Sequence, residues 1–263
     1  MIFAPRSCPS RPGFATTTLI LPATVGQYRN VKLTVVGCSP AWPNPGRAHS
    51  GYLLEHDGGR LLVDCGPGVL ARLREAERWP ALDAIVITHM HLDHCGDLVA
   101  WLWGHLHVPP PGTRKPDLLL PPGGREELTQ LGSRFDEAFA IREYPGDESF
   151  EAAGFDVTPF RVAHYTQPTW GLRIEAGGRV VAFSADTGPT DALAALAAGA
   201  DVFLCEATLE HGEPEPRGHL TAAEAAAAAL TARARRLLLV HRPVELPTPD
   251  GLELAYDGLE LNL

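Results

Sequence analysis

Ala84-Ile85-Val86-Ile87-Thr88-His89-Met90-His91-Leu92-Asp93-His94 is the stretch on which the fold and the chemistry both turn. Its first four residues form a continuous apolar run, the signature of a strand buried on both faces, and the run stops at Thr88. Four potential ligands follow within six residues: His89, His91, Asp93 and His94. Carboxyl ends of strands are where α/β proteins build their sites. Imidazole and carboxylate donors suit borderline divalent ions such as zinc or manganese. Alternation puts His89 and His91 on one side and leaves Asp93 and His94 free to turn toward a second position. One ion would leave so many ligands underused; two would not. The bland alternative is a solvated loop, and eleven histidines in 263 residues is only a modest excess. Four ligand-type residues directly beyond such a strand supply residues and context together, which a chance run does not.

Outward from this centre, short apolar runs alternate with helical patterns. Strands are expected at 31–36 and 84–87, with a hairpin of 51–55 and 60–63 around Asp57-Gly58-Gly59. More follow at 118–120, 155–162, 169–175, 179–183, 202–205 and 237–240, and the tail 252–261 is expected to add a last short one. Helices are expected at 69–77, 98–105 (closed by Pro109-Pro110-Pro111-Gly112), 125–138 and 192–198. Thr221 and Glu224 form a capping box that opens an alanine-rich helix to about Ala234. Strand clusters followed by helices in both halves imply two sheets packed together with helices outside. Residues 31–263 are read as one domain, and 1–30 as an irregular extension.

Composition narrows the function. Thirty-two acidic against 22 basic residues give a net charge of -10, which argues against binding duplex DNA through its phosphates. A small anionic substrate stays open, because bound cations can supply local positive charge. The five cysteines, Cys8, Cys38, Cys65, Cys95 and Cys205, are scattered and odd in number, so a disulfide framework is not expected and a reducing, cytoplasmic setting fits. No apolar run approaches the roughly 20 residues of a membrane span.

With the cluster in view, the chain resembles the metallo-β-lactamase superfamily, whose signature is H-x-H-x-D-H, from about Lys32 to Leu261. The resemblance implies an α/β four-layer αββα sandwich. It also implies three later ligands: His164 in Arg161-Val162-Ala163-His164, Asp186 in Ser184-Ala185-Asp186-Thr187-Gly188, and His241 in Leu238-Leu239-Val240-His241. By that resemblance His89, His91 and His164 hold one metal, Asp93, His94 and His241 the second, and Asp186 bridges them. The metals are expected to be zinc, with manganese or iron as alternatives. A hydroxide held between them is the implied nucleophile, oriented by Asp93.

Two further segments resemble the phosphodiesterase branch that contains ribonuclease Z: Glu206-Ala207-Thr208 and Gly218-His219-Leu220-Thr221. There the histidine protonates the leaving oxygen, which makes His219 the candidate general acid and Glu206 a candidate to orient it. A histidine packed near a helix start is the alternative. Gly171-Leu172-Arg173-Ile174 and the tail Ala255-Tyr256-Asp257-Gly258-Leu259-Glu260-Leu261 also look like this branch. The tRNA-processing enzymes usually carry a long arm, in bacterial forms between the third-motif histidine and the bridging aspartate. Here His164 and Asp186 lie only 22 positions apart, room for two strands and a turn, which speaks against folded RNA. The expected partner is a small phosphodiester such as a cyclic nucleotide, and the branch often forms homodimers. An ester, thioester or lactone hydrolase is the alternative, and a non-catalytic metal-binding protein the remote one. Asp64 is expected either to hydrogen-bond the ligand loop or to shape a turn, and His49 to face the site or nothing. Cys95 reads as a small buried residue, and Trp101, Trp103, His105 and His107 as either pocket wall or packing.

Overall fold

The computed structural model describes residues 30–108 and 112–263. The expected extension therefore lies outside the described residues save for Asn30, as do 109–111 of the proline run. The chain order begins β1 (Lys32–Gly37), β2 (Gly51–His56), β3 (Gly59–Val63), α1 (Val69–Ala76), β4 (Ala84–Val86), α2 (Leu92–Cys95) and α3 (Asp97–His107). It continues β5 (Asp117–Leu120), α4 (Gly124–Leu131), β6 (Ala140–Glu143), β7 (Phe150–Ala152), β8 (Phe155–Val162), β9 (Thr169–Ala176) and β10 (Arg179–Phe183). It closes α5 (Ala192–Leu196), β11 (Val202–Glu206), α6 (Ala222–Ala232), β12 (Leu237–Val240) and β13 (Glu260–Asn262).

These strands form two sheets, β13-β1-β2-β3-β4-β5-β6 and β12-β11-β10-β9-β8-β7. In each, an antiparallel meander gives way to parallel pairs, β3·β4·β5·β6 in the first and β10·β11·β12 in the second. Strand alternation then builds four layers. Leu61, Val63 and Val86 meet Leu172, Val181 and Leu204 between the sheets. Leu62, Ile85 and Ile87 face outward beneath α1 and α3, where Val69, Leu73, Leu98 and Trp101 cover them. Phe203, Cys205 and Leu239 face α5 and α6. Small residues on α6, Ala225, Ala229 and Ala232, let that helix lie close to its sheet. The four-layer αββα sandwich is thus built by period-two strands whose both faces are apolar.

Three local expectations differ from what is seen. The helix expected over 125–138 stops at Leu131, because Gly132 takes a backbone open essentially only to glycine, with φ 154° and ψ -171°. Phe135 and Ala138 continue its apolar spacing and are still buried, from a single 3-10 turn. β6 and β7 were not anticipated: four and three residues long, they carry Arg142, Glu143 and Glu151 at sheet edges. In the tail, Leu254 makes only an isolated bridge to Leu239, and the strand proper pairs β13 with β1.

The topology matters for one reason. The carboxyl ends of β3, β4, β8, β10, β11 and β12 meet at one rim; β11 ends on Glu206, and the others are followed within a few residues by Asp64, His89, His164, Asp186 and His241.

Candidate metal centre

Seven side chains converge at that rim in two groups. In the first, Nε2 of His89 and Nε2 of His164 stand 3.2 and 3.1 Å from Nδ1 of His91. In the second, Nε2 of His241 lies 3.0 Å and Nε2 of His94 3.3 Å from Oδ2 of Asp93. Asp186 sits between the groups. Its Oδ2 is 3.9 and 3.8 Å from Nε2 of His89 and His164 and 3.4 Å from Nε2 of His241, while its Oδ1 is 3.3 Å from Nε2 of His94. Within each group the donor atoms all lie within 4.8 Å of one another. All seven ligand candidates are buried except His91, which opens to solvent.

The outward nitrogens decide which atoms face the centre. Asp64 Oδ2 accepts from Nδ1 of His94 at 2.6 Å, so that ring's bare nitrogen is Nε2. Thr88 Oγ1 lies 3.1 Å from Nδ1 of His89 and donates its own proton to Asp64, so it can only accept from the ring. Thr208 repeats the device: its hydroxyl donates to Oε2 of Glu206 and lies 2.9 Å from Nδ1 of His241. Nδ1 of His164 donates to the carbonyl of Gly218 at 2.8 Å. Four rings therefore turn Nε2 inward.

Nε2 of His94 and Oδ1 of Asp186, 3.3 Å apart, are buried with no hydrogen-bond partner beyond each other. Buried polar atoms normally find partners, and two carboxylates with no cation between them carry a desolvation cost. Nitrogen and carboxylate oxygen donors, in the neutral and ionised forms that ligate, are what two divalent ions require. Burial pushes His89 and His164 below the ordinary imidazole range, keeping them neutral. Burial also opposes charge on His94, but Asp186, Asp64 and Asp93 outweigh it and hold that ring well above its usual range. The excess negative potential there is the complement of a cation.

His219 stands at the edge of this centre. Its Nδ1 donates to Oε1 of Glu206 at 2.7 Å, and its ring lies 4.9 Å from that of His164 and 5.7 Å from that of His241. One of its nitrogens lies within 4.8 Å of donor atoms of His164 and Asp186. Glu206 is fully buried and also accepts from the backbone of Thr187, Thr208 and Leu220. Burial disfavours charge on His219, yet the hydrogen bond and charge of Glu206 win and raise it to about 9. The ring is thus held as a proton donor.

Of the remaining residues singled out from sequence, Asp64 bonds the ligand loop through His94 and the backbone of Thr88. His49 bonds the carbonyl of Pro40 and lies behind Asp93 and His94 without joining them. Cys95 is buried, its thiol bonded to the carbonyl of Met90. Trp101 is core and His105 packs beside Trp79, so neither forms the site's wall; Trp103 is exposed on α3. Thr88, Thr208, Tyr165 and Glu213 were missed. Only the position of Thr88 and Thr208 at strand ends, beside a ligand and a carboxylate, could have flagged them.

Backbone strain gathers here as well. Among the described residues eight non-glycine positions have positive φ, and Asp64 (58°), Tyr165 (45°), Ala185 (53°) and His241 (54°) all lie at the rim.

Similarity to known proteins fits this geometry. The profile of the Beta-lactamase superfamily domain matches residues 59–242. A Mycobacterium leprae protein of uncharacterised function is 35% identical over 251 residues, 89% of this chain and 86% of its own length. The probable metallo-hydrolase YhfI of Bacillus subtilis is 29% identical over 216 residues, 81% of this chain and 87% of its own. Its crystal structure superposes with a TM-score of 0.79 at 25% identity, covering 89% of this chain and 99% of that one. Ribonuclease Z of Mycobacterium bovis is 30% identical over 193 residues, 66% of this chain and 69% of its own.

Proposed function

Because the chain belongs to the beta-lactamase superfamily, we propose that it is a dinuclear metal-dependent phosphodiesterase acting on small phosphodiesters such as a cyclic nucleotide. His89, His91 and His164 would hold one ion and Asp93, His94 and His241 the other, with Asp186 shared. Such ions, when bound, supply Lewis acidity toward a phosphoryl oxygen and lower the pKa of water. The chain's own residues supply the rest. Asp64, Thr88 and Thr208 fix the ring tautomers, and Asp93 orients the attacking water through the oxygen not turned to His241. His219 delivers a proton to the departing alkoxide from the nitrogen opposite Glu206.

The observation that carries this reading is the His219–Glu206 pair at 2.7 Å, facing the centre. An alkoxide leaving a phosphodiester is a poor leaving group and gains from a held acid; a substrate with a good leaving group does not. The hairpin between β9 and β10 turns at Gly177-Gly178 with no arm inserted, which favours a small substrate over folded RNA. The test is a panel of 2′,3′- and 3′,5′-cyclic nucleotides, lactones and thioesters on protein reconstituted with zinc, manganese or iron. Turnover of the phosphodiesters is expected; hydrolysis of lactones or thioesters alone would overturn the assignment.

A further inference from the structure

We infer that Tyr165 is a fixed platform on which the planar base of a nucleotide substrate stacks, making it the residue that selects nucleotide diesters over aliphatic ones. The inference rests on the phosphodiesterase reading and adds to it the substrate's non-reacting half.

Tyr165 directly follows the ligand His164, and its ring lies 5.3 Å from that of His164 and 5.6 Å from that of His219. It is 45% exposed, so an aromatic surface opens to solvent at the edge of the reaction centre. Three features stop this ring from swinging. Its hydroxyl donates to both carboxylate oxygens of Glu213, at 3.0 and 3.1 Å. Its backbone sits in the left-handed region at φ 45° and is tied to the carbonyl of Arg217 at 3.3 Å. One side of the ring lies directly on Gly218, where any Cβ would enter the ring itself.

Glu213 also accepts from the backbone N–H of Gly218 at 3.0 Å. The carboxylate therefore locks the ring to the same segment that carries His219. A base resting on the free side of the ring would be held at a set distance from the acid and from the ligand His164. Pre-ordering an aromatic surface lowers the entropy lost on binding, and base–aromatic stacking tolerates any base because each has a π-face. A diester without a ring gains nothing from it.

The test uses the metal-loaded full chain and three variants: Tyr165→Leu, which keeps bulk without the π-face, Tyr165→Phe, which keeps the ring, and Glu213→Ala, which frees it. Adenosine 5′-monophosphate binding is read by calorimetry. Hydrolysis is read on 3′,5′-cyclic AMP and on glycerophosphoethanolamine, a diester without a ring. Tyr165→Leu is expected to raise Kd for the monophosphate and KM for cyclic AMP about tenfold, with kcat within about twofold and the ring-free diester unaffected. Tyr165→Phe, which keeps the π-face but loses the tie to Glu213, should weaken binding less than Tyr165→Leu and about as much as Glu213→Ala. If Tyr165→Leu fails to fold, Glu213→Ala is expected to weaken monophosphate binding on its own. Equal loss of kcat on both diesters with KM unmoved would show a strut for the His219 segment and overturn the platform. So would an absence of monophosphate binding to the parent protein. Weakened monophosphate binding in a protein that hydrolyses neither diester would uphold the platform and overturn the phosphodiesterase reading instead.

Discussion

Oε1 of Glu206 takes the Nδ1 proton of His219 at 2.7 Å, from a carboxylate that is itself fully buried. That bond fixes which nitrogen of His219 is free and keeps a proton on it. Replacing His219 with Ala should lower turnover of an unactivated cyclic diester by about 100-fold while metal content stays intact. Bis-p-nitrophenyl phosphate, whose leaving group needs little help, should lose far less. Glu206→Gln should follow the same pattern more weakly, because an amide can offer its NH2 to Nδ1 and select the wrong tautomer. Equal losses on the two substrates would sink the leaving-oxygen role.

Removing the ions should cost stability as well as activity. Nε2 of His94 and Oδ1 of Asp186, buried 3.3 Å from each other, would both be satisfied by a bound cation. At free metal a hundredfold above Kd the folded state gains roughly 2.7 kcal/mol, or about 5–10 °C in Tm for a domain of this size. Calorimetry with and without chelator checks it. Asp186→Ala, which removes the carboxylate from between the two groups, should bind fewer ions by elemental analysis and lose that thermal shift. A shift that persists in the variant would mean the ions stabilise the chain somewhere else.

Thr88 and Thr208 each stand between a ligand histidine and a buried carboxylate. Valine has their shape without the hydroxyl. Thr88→Val should weaken the ion held by His89, and Thr208→Val the ion held by His241, each about 10- to 100-fold. Competition against a chromophoric chelator measures both. Unchanged affinities would mean that packing alone orients the two rings.

On the segment that carries His219, the capping box of α6 gives a pH dependence of known sign. Glu224 accepts from Arg217, from Thr221 Oγ1 and from the Thr221 backbone, and Arg217 first among these brings its carboxyl down to about 2 from 4.5. A depressed carboxyl stabilises the fold in full above its unfolded value and loses that contribution as pH falls through the folded one. The stability gap between the parent and Glu224→Gln should therefore be constant at pH 6–7 and shrink between about pH 4.5 and pH 2. Urea unfolding across that range measures it; a gap that widens on acidification would contradict the pairing.

How far the sequence could be read depended on what each feature requires. The residues that converge at the rim were legible because, by the resemblance, such positions are His or Asp, follow strands and occur in order. The four layers were legible because Ile85, Val86 and Ile87 leave no polar face for a two-sided sheet. The edge strands β6 and β7 were not: Arg142, Glu143 and Glu151 break alternation in segments paired on only one side. The helix over 125–138 read through Gly132 because Leu131, Phe135 and Ala138 keep helical spacing, and burial can be met without a helix. Thr88 and Thr208 were invisible for a different reason. A hydroxyl acts here only through a carboxylate 24 residues away for Thr88 and a histidine 33 residues away for Thr208, separations that no local pattern records.

The left-handed backbones of Asp64, Tyr165, Ala185 and His241 have an engineering consequence. Glycine would relax each one, so a search for thermostable variants would be drawn to the rim first. Ala185→Gly in particular removes only a methyl group, yet it would loosen the hinge on which Asp186 is presented. At Asp64, Tyr165 and His241 the side chain itself is needed at the rim, so stabilising effort is better directed to the outer helices.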